Sequence, residues 1–441
     1  MISIASSTIR ATVVAFRGRL ASGFLWNLIS TFAFQGSVLI TGLILARVLG
    51  LKTFGVYALV TMTVMTVVGV AQGGVGIIGT KFVGEWLHAE RDRISRVLHI
   101  CAVFTLLTGA AATAFLGLSA PWVADRLLNN PDVATALRWV SVGTLFQVQT
   151  VYLQGALQGF GAFRAISKAG AWVGLFHGAL SVAGALLWAL DGAVIAFTCS
   201  SVVRWWLFRN ALNECCREHD IRASSETRPE DWALIWRFAL PAGLASLVTL
   251  PCLWGVTALV ARQPDGLAWV GLFAVAHQLR QLVLQIPILL NTVASSVLSR
   301  LKGRNEGSEY WKIFRANLIL GVSFSTFMVL LLASVSIPVL KLYGPGFQDG
   351  QGLLLVLLLS VIPEVIGVTA YQLVQSSGRM WRSLLFIVAP RDLLYLTLAA
   401  WSLPIWGLVG SGWAYLTAYT LGCVATLVVG LGGKKQLPTD R

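Results

Sequence analysis

What most constrains this chain is a series of long apolar runs, at roughly residues 24–46, 54–79, 98–120, 136–160, 169–188 and 193–209, then 232–260, 270–298, 316–340, 352–375, 384–403 and 406–430. A helix crosses the ~30 Å hydrocarbon layer of a bilayer with about 20 apolar residues. Inside lipid every backbone N–H and C=O needs a partner within the protein, and a run of this length finds them as a helix. The chain is therefore expected to be an all-α polytopic membrane protein with about twelve transmembrane helices. Its charge content agrees. Of 441 residues, 12% are charged, about half the share in an average soluble domain, and so few charges cannot cover a water-exposed surface.

The basic residues set the orientation, because Lys and Arg near the ends of spans stay on the cytoplasmic side. With the N-terminus inside, 24 of the 33 Lys and Arg fall in cytoplasmic segments. Outer loops hold 6: Arg47, Lys52, Arg126, Arg138, Arg262 and Lys341. Arg204, Arg280 and Arg391 lie within spans. The bias requires an even number of spans and puts both termini in the cytoplasm, as in a multi-pass bacterial inner-membrane protein. It also accounts for the net charge of +14 without nucleic acid as a partner, since basic loops are drawn to an anionic cytoplasmic leaflet. Arg10, Arg17 and Arg19 resemble the start of a signal peptide, but the run from Phe24 to Ala46 is too long for one and reads as a retained span.

Cys101, Cys199, Cys252 and Cys423 fall in spans and Cys215 and Cys216 in a loop, which suits neither a disulfide framework nor a zinc site. The longest loop divides the chain into an N-terminal bundle of six spans (1–210), a cytoplasmic linker (211–231), a C-terminal bundle of six (232–430) and a cytoplasmic tail (431–441). Six and six suggest an internal repeat, which transporters carry as weak symmetry between halves. LKTFGVYALV from Leu51 opens the second span, and LAWVGLFAVA from Leu267 opens the eighth. LQGALQGFGAFR from Leu153 closes the fourth and YQLVQSSGRMWR from Tyr371 the tenth, so that Gln158 and Gly161 match Gln375 and Gly378. Glycines and aromatics also mark membrane interfaces generally, and that reading of the matches stays open.

At these residues the chain resembles a known family. LARVLGLKTFGVYALV (45–60) is similar to the first outer loop of polysaccharide exporters and O-antigen flippases of the multidrug/oligosaccharidyl-lipid/polysaccharide (MOP) superfamily. FALPAGL from Phe238, LYGPGF from Leu342, SSGRMWR from Ser376 and GLVGSGWAYLTAYTLG from Gly407 follow in the expected order, over nearly the full length. The resemblance implies two six-helix bundles rocking about a central cavity. It implies a flippase that carries undecaprenyl-diphosphate-linked oligosaccharide across the inner membrane by alternating access, for a surface polysaccharide such as O-antigen lipopolysaccharide or exopolysaccharide. Where the family often has an Asn-containing motif in its fifth and eleventh spans, this chain has His177 and Arg391-Asp392.

A diphosphate leaving water needs a compensating cation, and the planar fork of Arg suits it best. A charge in mid-span costs about 2.5–3.5 kcal/mol on insertion scales, so each one calls for a reason. Arg280 lies about ten residues, or ~15 Å, into the eighth span, with His277 on its face and Gln278, Gln281 and Gln285 around it. It either lines a wet cavity or is held in an ion pair by a neighbouring helix. Glu364 and Arg391 sit at comparable depth in the tenth and eleventh spans, beside Asp392. Glu364 and Arg391 are expected to form a structural pair; the alternative is that Glu364 or Asp392 binds a coupling proton or sodium ion. His177 and His277 are either packing partners or protonation switches. Gln147, Gln154 and Gln158 share a helical face and, with Tyr152, suit a sugar route or interhelical hydrogen bonds equally. Gln35, Asn27 and Gln72 stand in the same undecided class, while Arg204 reads as snorkelling to the interface.

Lys81–Leu98 alternates charge and apolar residues at helical spacing, as does 300–315, and both are expected to lie as amphipathic helices on the cytoplasmic surface, forming either a plain solvated interface or a docking site for glycan-assembly enzymes. Two other function classes stay in view. A cation-coupled multidrug antiporter has the same architecture but calls for a carboxylate-rich cavity. A membrane glycan polymerase or acyltransferase calls for a large outer loop or a His- and Asp-bearing motif. No catalytic residue, P-loop, metal site or cofactor motif is legible. The expected partners are lipid-linked oligosaccharide, membrane lipids, and a glycan polymerase and glycosyltransferases in the same pathway, with the transporter itself a monomer.

Overall fold

The computed structural model describes residues 2–87, 91–128, 131, 133–221, 232–233, 240–303, 307–376 and 380–432, with residues 2–34 described by backbone alone. The loop 222–231, the tail from Gly433, Gly378 of the SSGRMWR turn and the side chains of Asn27 and Gln375 lie outside the described residues. The described elements are all helices: α1 (Ile2–Ala71), α2 (Val75–Trp86), α3 (Arg91–Trp122), α4 (Val133–Gly159), α5 (Phe163–Glu218), α6 (Leu240–Ala261) and α7 (Gly266–Gly303). There follow α8 (Gly307–Ser334), α9 (Ser336–Tyr343), α10 (Gln351–Ser376), α11 (Met380–Ser383), α12 (Ala389–Trp406) and α13 (Leu408–Leu431).

Eight described helices are long and apolar enough to cross a membrane as continuous pieces. Two of them fold back on themselves. Gly50, at φ 76° and ψ 167°, interrupts α1, and both Gly42 before it and Gly55 after it touch α7, so the two legs lie side by side. Trp188 and Ala189 interrupt α5 in the same way and bring Gly184 against Gly192. With α4, whose glutamines dilute its apolar character, and α6, the passes number twelve. Large apolar side chains point outward along them, and only 17% of the apolar stretch of α8 is buried. In water that surface would be a liability; against lipid it is the expected face.

α1 packs on α3, α4 and α5 in the first half, while α7, α8, α10, α12 and α13 pack among themselves in the second. The halves meet through α1 against α6 and α7. The repeat seen in sequence is this interface. A Cβ on Gly55 would lie 1.7 Å from the Leu267 carbonyl oxygen, and one on Gly271 would lie 2.7 Å from that of Leu51. Leu51 and Gly55 thus stand to Leu267 and Gly271 as each half stands to the other, which disposes of a merely interfacial reading of that match. The turns repeat as well: Gly184 and Gly192 in the first half correspond to Ser402 and Gly410, which face each other across the turn at Gly407.

Gly407 takes a positive φ of 59°, but its counterpart Ala189 is held at φ 47° with a Cβ that resists this conformation. Ala189→Gly is expected to raise the thermal midpoint of the purified protein, by relief of about 1 kcal/mol; an unchanged or lower midpoint would contradict the strain.

The surface helix expected over 81–98 is not a separate element. Lys81–Trp86 ends α2 and Arg91 begins α3, and Phe82, Val83 and Trp86 bury themselves with Ile94 and Val97 in one apolar cluster. Its amphipathic pattern reflects packing between two helix ends. At 300–315 α7 ends at Gly303 and α8 begins at Gly307, and among the described side chains Tyr310 and Phe314 bury themselves with Leu298.

Candidate functional site

Where the halves meet, α1, α4 and α5 on one side and α6 and α7 on the other enclose a cavity of about 580 Å³. Its lining includes Gln35, Gln147, His177 and Arg204 from the first half, and His277, Gln278, Arg280 and Gln281 from the second. Aromatic and apolar groups fill the space between them, among them Phe54, Tyr57, Met62, Phe197 and Phe273. Among the described residues that line it there is no Asp or Glu. Thr41, Ser200, Ser201 and Thr257 add hydroxyls.

Arg280 both lines this cavity and is locked into the second half. It is 3% exposed, and its guanidinium meets the Glu364 carboxylate of α10 in an ion pair and lies 4.5 Å from the centre of the Tyr415 ring. Tyr415 donates its hydroxyl to the same Glu364 oxygen at 3.3 Å. His277 packs edge-on against Tyr415 at 5.6 Å and beside Phe273 at 4.3 Å, while its buried Nε2 finds no hydrogen-bond partner among the described residues. The burial of two charges here is compensated by pairing, a hydrogen bond and a cation–π contact together.

The pairing expected between Glu364 and Arg391 is not the one found. α13 stands between α10 and α12, so spans that are neighbours in sequence are not neighbours in space. Arg391 instead pairs with Asp392, Nε to Oδ1 at 2.7 Å and Nη2 to Oδ2 at 3.1 Å, and lies 4.5 Å from the centre of the Tyr419 ring. Thr249 of α6 donates to Asp392 Oδ2 at 2.5 Å. Tyr415 and Tyr419 stack at 3.9 Å and join the two ion pairs into one layer.

The glutamines of α4 separate. Gln147 lines the cavity and its buried Nε2 has no hydrogen-bond partner among the described residues. Gln154 accepts from Arg204 Nη2 at 3.2 Å, and Gln158 accepts from Thr80 at 3.2 Å, away from the cavity. Tyr152, grouped with them in sequence, belongs to the apolar cluster inside the first half instead. His177 reaches the cavity, with Ser181 Oγ 3.3 Å from its Nδ1.

Arg204 is the residue that sequence reasoning missed. Reading the sixth span as ending near residue 209 put Arg204 close enough to the interface to snorkel. α5 continues to Glu218, which leaves Arg204 about 14 residues, or ~21 Å, from the end of the helix. It lines the cavity, held by Gln154 and by Phe208, whose ring centre is 5.6 Å away. Asn291, Asn317 and Gln372 were missed too: they form a buried hydrogen-bonded cluster that ties α7, α8 and α10 at 2.7–2.9 Å. At the matching place in the first half, Gly76 and Gly155 bring the backbones of α2 and α4 together.

Comparison with known proteins agrees with this arrangement. The polysaccharide export inner membrane protein EpsE of Ralstonia nicotianae is 24% identical over 397 residues, 88% of each chain, and that of Ralstonia solanacearum is 24% identical over 80% of each. Among solved structures, an inward-facing multidrug resistance MATE transporter of the MOP superfamily superposes with a TM-score of 0.77 at 14% identity, over 93% of this chain and 98% of that one. A MOP superfamily transporter from Pyrococcus furiosus, described as having a binding pocket of reversed polarity, gives 0.70 at 15% identity over 96% of both. The family profile of polysaccharide biosynthesis proteins matches residues 20–302. With the MOP transporter fold extending over nearly its whole length, the chain belongs to the polysaccharide biosynthesis protein family.

Proposed function

We propose that this protein is an inner-membrane flippase that moves a lipid-linked oligosaccharide, its diphosphate included, across the bilayer by alternating access, without catalysis. The observation that carries the reading is the lining of the central cavity: two Arg, two His and four Gln with no carboxylate among the described residues. Such a wall favours an anionic, hydroxyl-rich cargo and disfavours the organic cations that a carboxylate-lined cavity would take. The family and the EpsE relatives support polysaccharide as the product class. The charge bias of the loops supports both termini inside. The packing pattern supports two bundles, the first reaching past residue 210 along α5 to Glu218, where Leu212 and Cys215 pack into its apolar cluster, and the protein is taken to work as a monomer alongside the pathway's glycosyltransferases and polymerase.

Within the cavity, Arg204 of α5 stands in the wall contributed by the first half and Arg280 in that of the second, and the contact with the diphosphate is assigned to Arg204, with Gln147, Gln281 and His277 facing the sugars. Arg204→Gln is expected to leave the amount of protein in the membrane unchanged and to reduce surface polysaccharide about tenfold or more, the loss of one charge-assisted contact. Deleting the gene is expected to leave lipid-linked oligosaccharide accumulating on the inner leaflet. Undiminished export after deletion, or a deletion strain sensitised to cationic drugs with its polysaccharide intact, would refute the reading, the second in favour of a multidrug antiporter.

A further inference from the structure

A second cavity, of about 590 Å³, lies wholly within the first half and shares no lining residue with the central one. It sits at the end of the bundle where Lys and Arg gather. Arg209, Asn213 and Arg217 line it from α5 at i, i+4 and i+8, which is one face of a helix. Arg204 and Arg209 are five residues apart, about 140° around the helix axis, so one faces the central cavity and the other faces this space. His99 of α3 lines the opposite wall, and Tyr152 of α4, 4% exposed, lines the space between them. No Asp or Glu is among the described residues of the lining.

The two arginines are held without a carboxylate among the described residues. Arg209 stacks on Trp205, 5.3 Å from the ring centre, and Arg217 Nε donates to the Asn213 carbonyl at 3.4 Å. Leucines line the remaining wall, Leu98 among them. Two guanidinium groups, an imidazole and a phenol beside an apolar wall form a chemistry for a phosphate ester that carries hydrocarbon.

We propose that this cavity binds the phosphodiester head group of an anionic membrane lipid, with Arg209 and Arg217 on the phosphate and the acyl chains along the leucines. The site is separate from the transport pathway, and an anionic lipid held there anchors the first half to its leaflet while the second half moves.

Native mass spectrometry of the full-length protein, released from vesicles of phosphatidylglycerol and phosphatidylcholine, tests this directly. The parent and an Arg138→Gln control, an exposed arginine that lines neither cavity, should retain phosphatidylglycerol, and Arg209→Gln/Arg217→Gln should lose it about tenfold or more. Leu98→Trp, which keeps the charges and fills the space, should lose it as well, so that a folding defect in one variant does not decide the result. Equal retention in parent and variants would overturn the site. Inorganic phosphate binding that depends on the two arginines, with no lipid retained, would assign the cavity to a free anion and overturn the lipid head group.

Discussion

Glu364→Ala is expected to remove most of the protein from the membrane. The substitution takes away the carboxylate that pairs with Arg280, a residue 3% exposed whose guanidinium lies over the Tyr415 ring. Breaking a buried pair by removing one partner costs about 3–5 kcal/mol, because the remaining charge is left uncompensated. Arg280→Ala is expected to do the same from the other side, so its loss of export will come with a loss of protein. Arg280→Met/Glu364→Leu removes both charges and should restore the protein to near its parental amount, since a buried pair replaced by apolar groups of similar volume is often neutral. Quantitative immunoblotting of membranes checks all three. A double variant as depleted as the singles would show that the pair's geometry, and not its charge balance, holds α7 to α10.

The second large effect is expected at Gly55. Any side chain there meets the Leu267 backbone, with Cβ only 1.7 Å from the carbonyl oxygen, while each half keeps its internal packing. Gly55→Ala should therefore fold and should push the halves apart at the end where residues 50 and 266 lie. That end is closed by further contacts from the second half: Phe347, fully buried, meets Phe54 edge-on at 6.0 Å, and Gly346 lies against Leu51. Export should fall to near the deletion level. In a cysteine-free background, Thr61→Cys on the cavity wall should become open to an impermeant maleimide from the outer side in Gly55→Ala and stay protected without it. Protection in both, with export retained, would remove this contact from the transport cycle.

Much of this was legible in the chain because membrane burial is written locally. Run length fixes the helices, and Leu51-Gly55 against Leu267-Gly271 carries the repeat at residues whose small size or backbone position is demanded by contact. What sequence could not supply is which helix stands beside which. Glu364 and Arg391 lie at matching depth in consecutive spans, yet α13 separates their helices, and Glu364 meets Arg280 across a gap of 84 residues instead. Arg204 was lost for a simpler reason: apolar run length marks where a helix leaves lipid, but not where it ends, and α5 runs on to Glu218 through polar residues. Gln147, Gln154 and Gln158 share a face in one dimension, and their destinations part because α2, α5 and the cavity each border that face at a different level.

The central claim is tested most directly by transport in a purified system. Protein reconstituted into liposomes would be loaded with a fluorescent polyprenyl-diphosphate oligosaccharide in one leaflet, and its arrival in the other followed with a membrane-impermeant quencher. Parent protein should move the lipid-linked sugar, Arg204→Gln should move it about tenfold more slowly or worse, and an organic cation dye should not be transported. Movement of the dye together with an immobile lipid-linked sugar would contradict the account and assign the cavity to drug export.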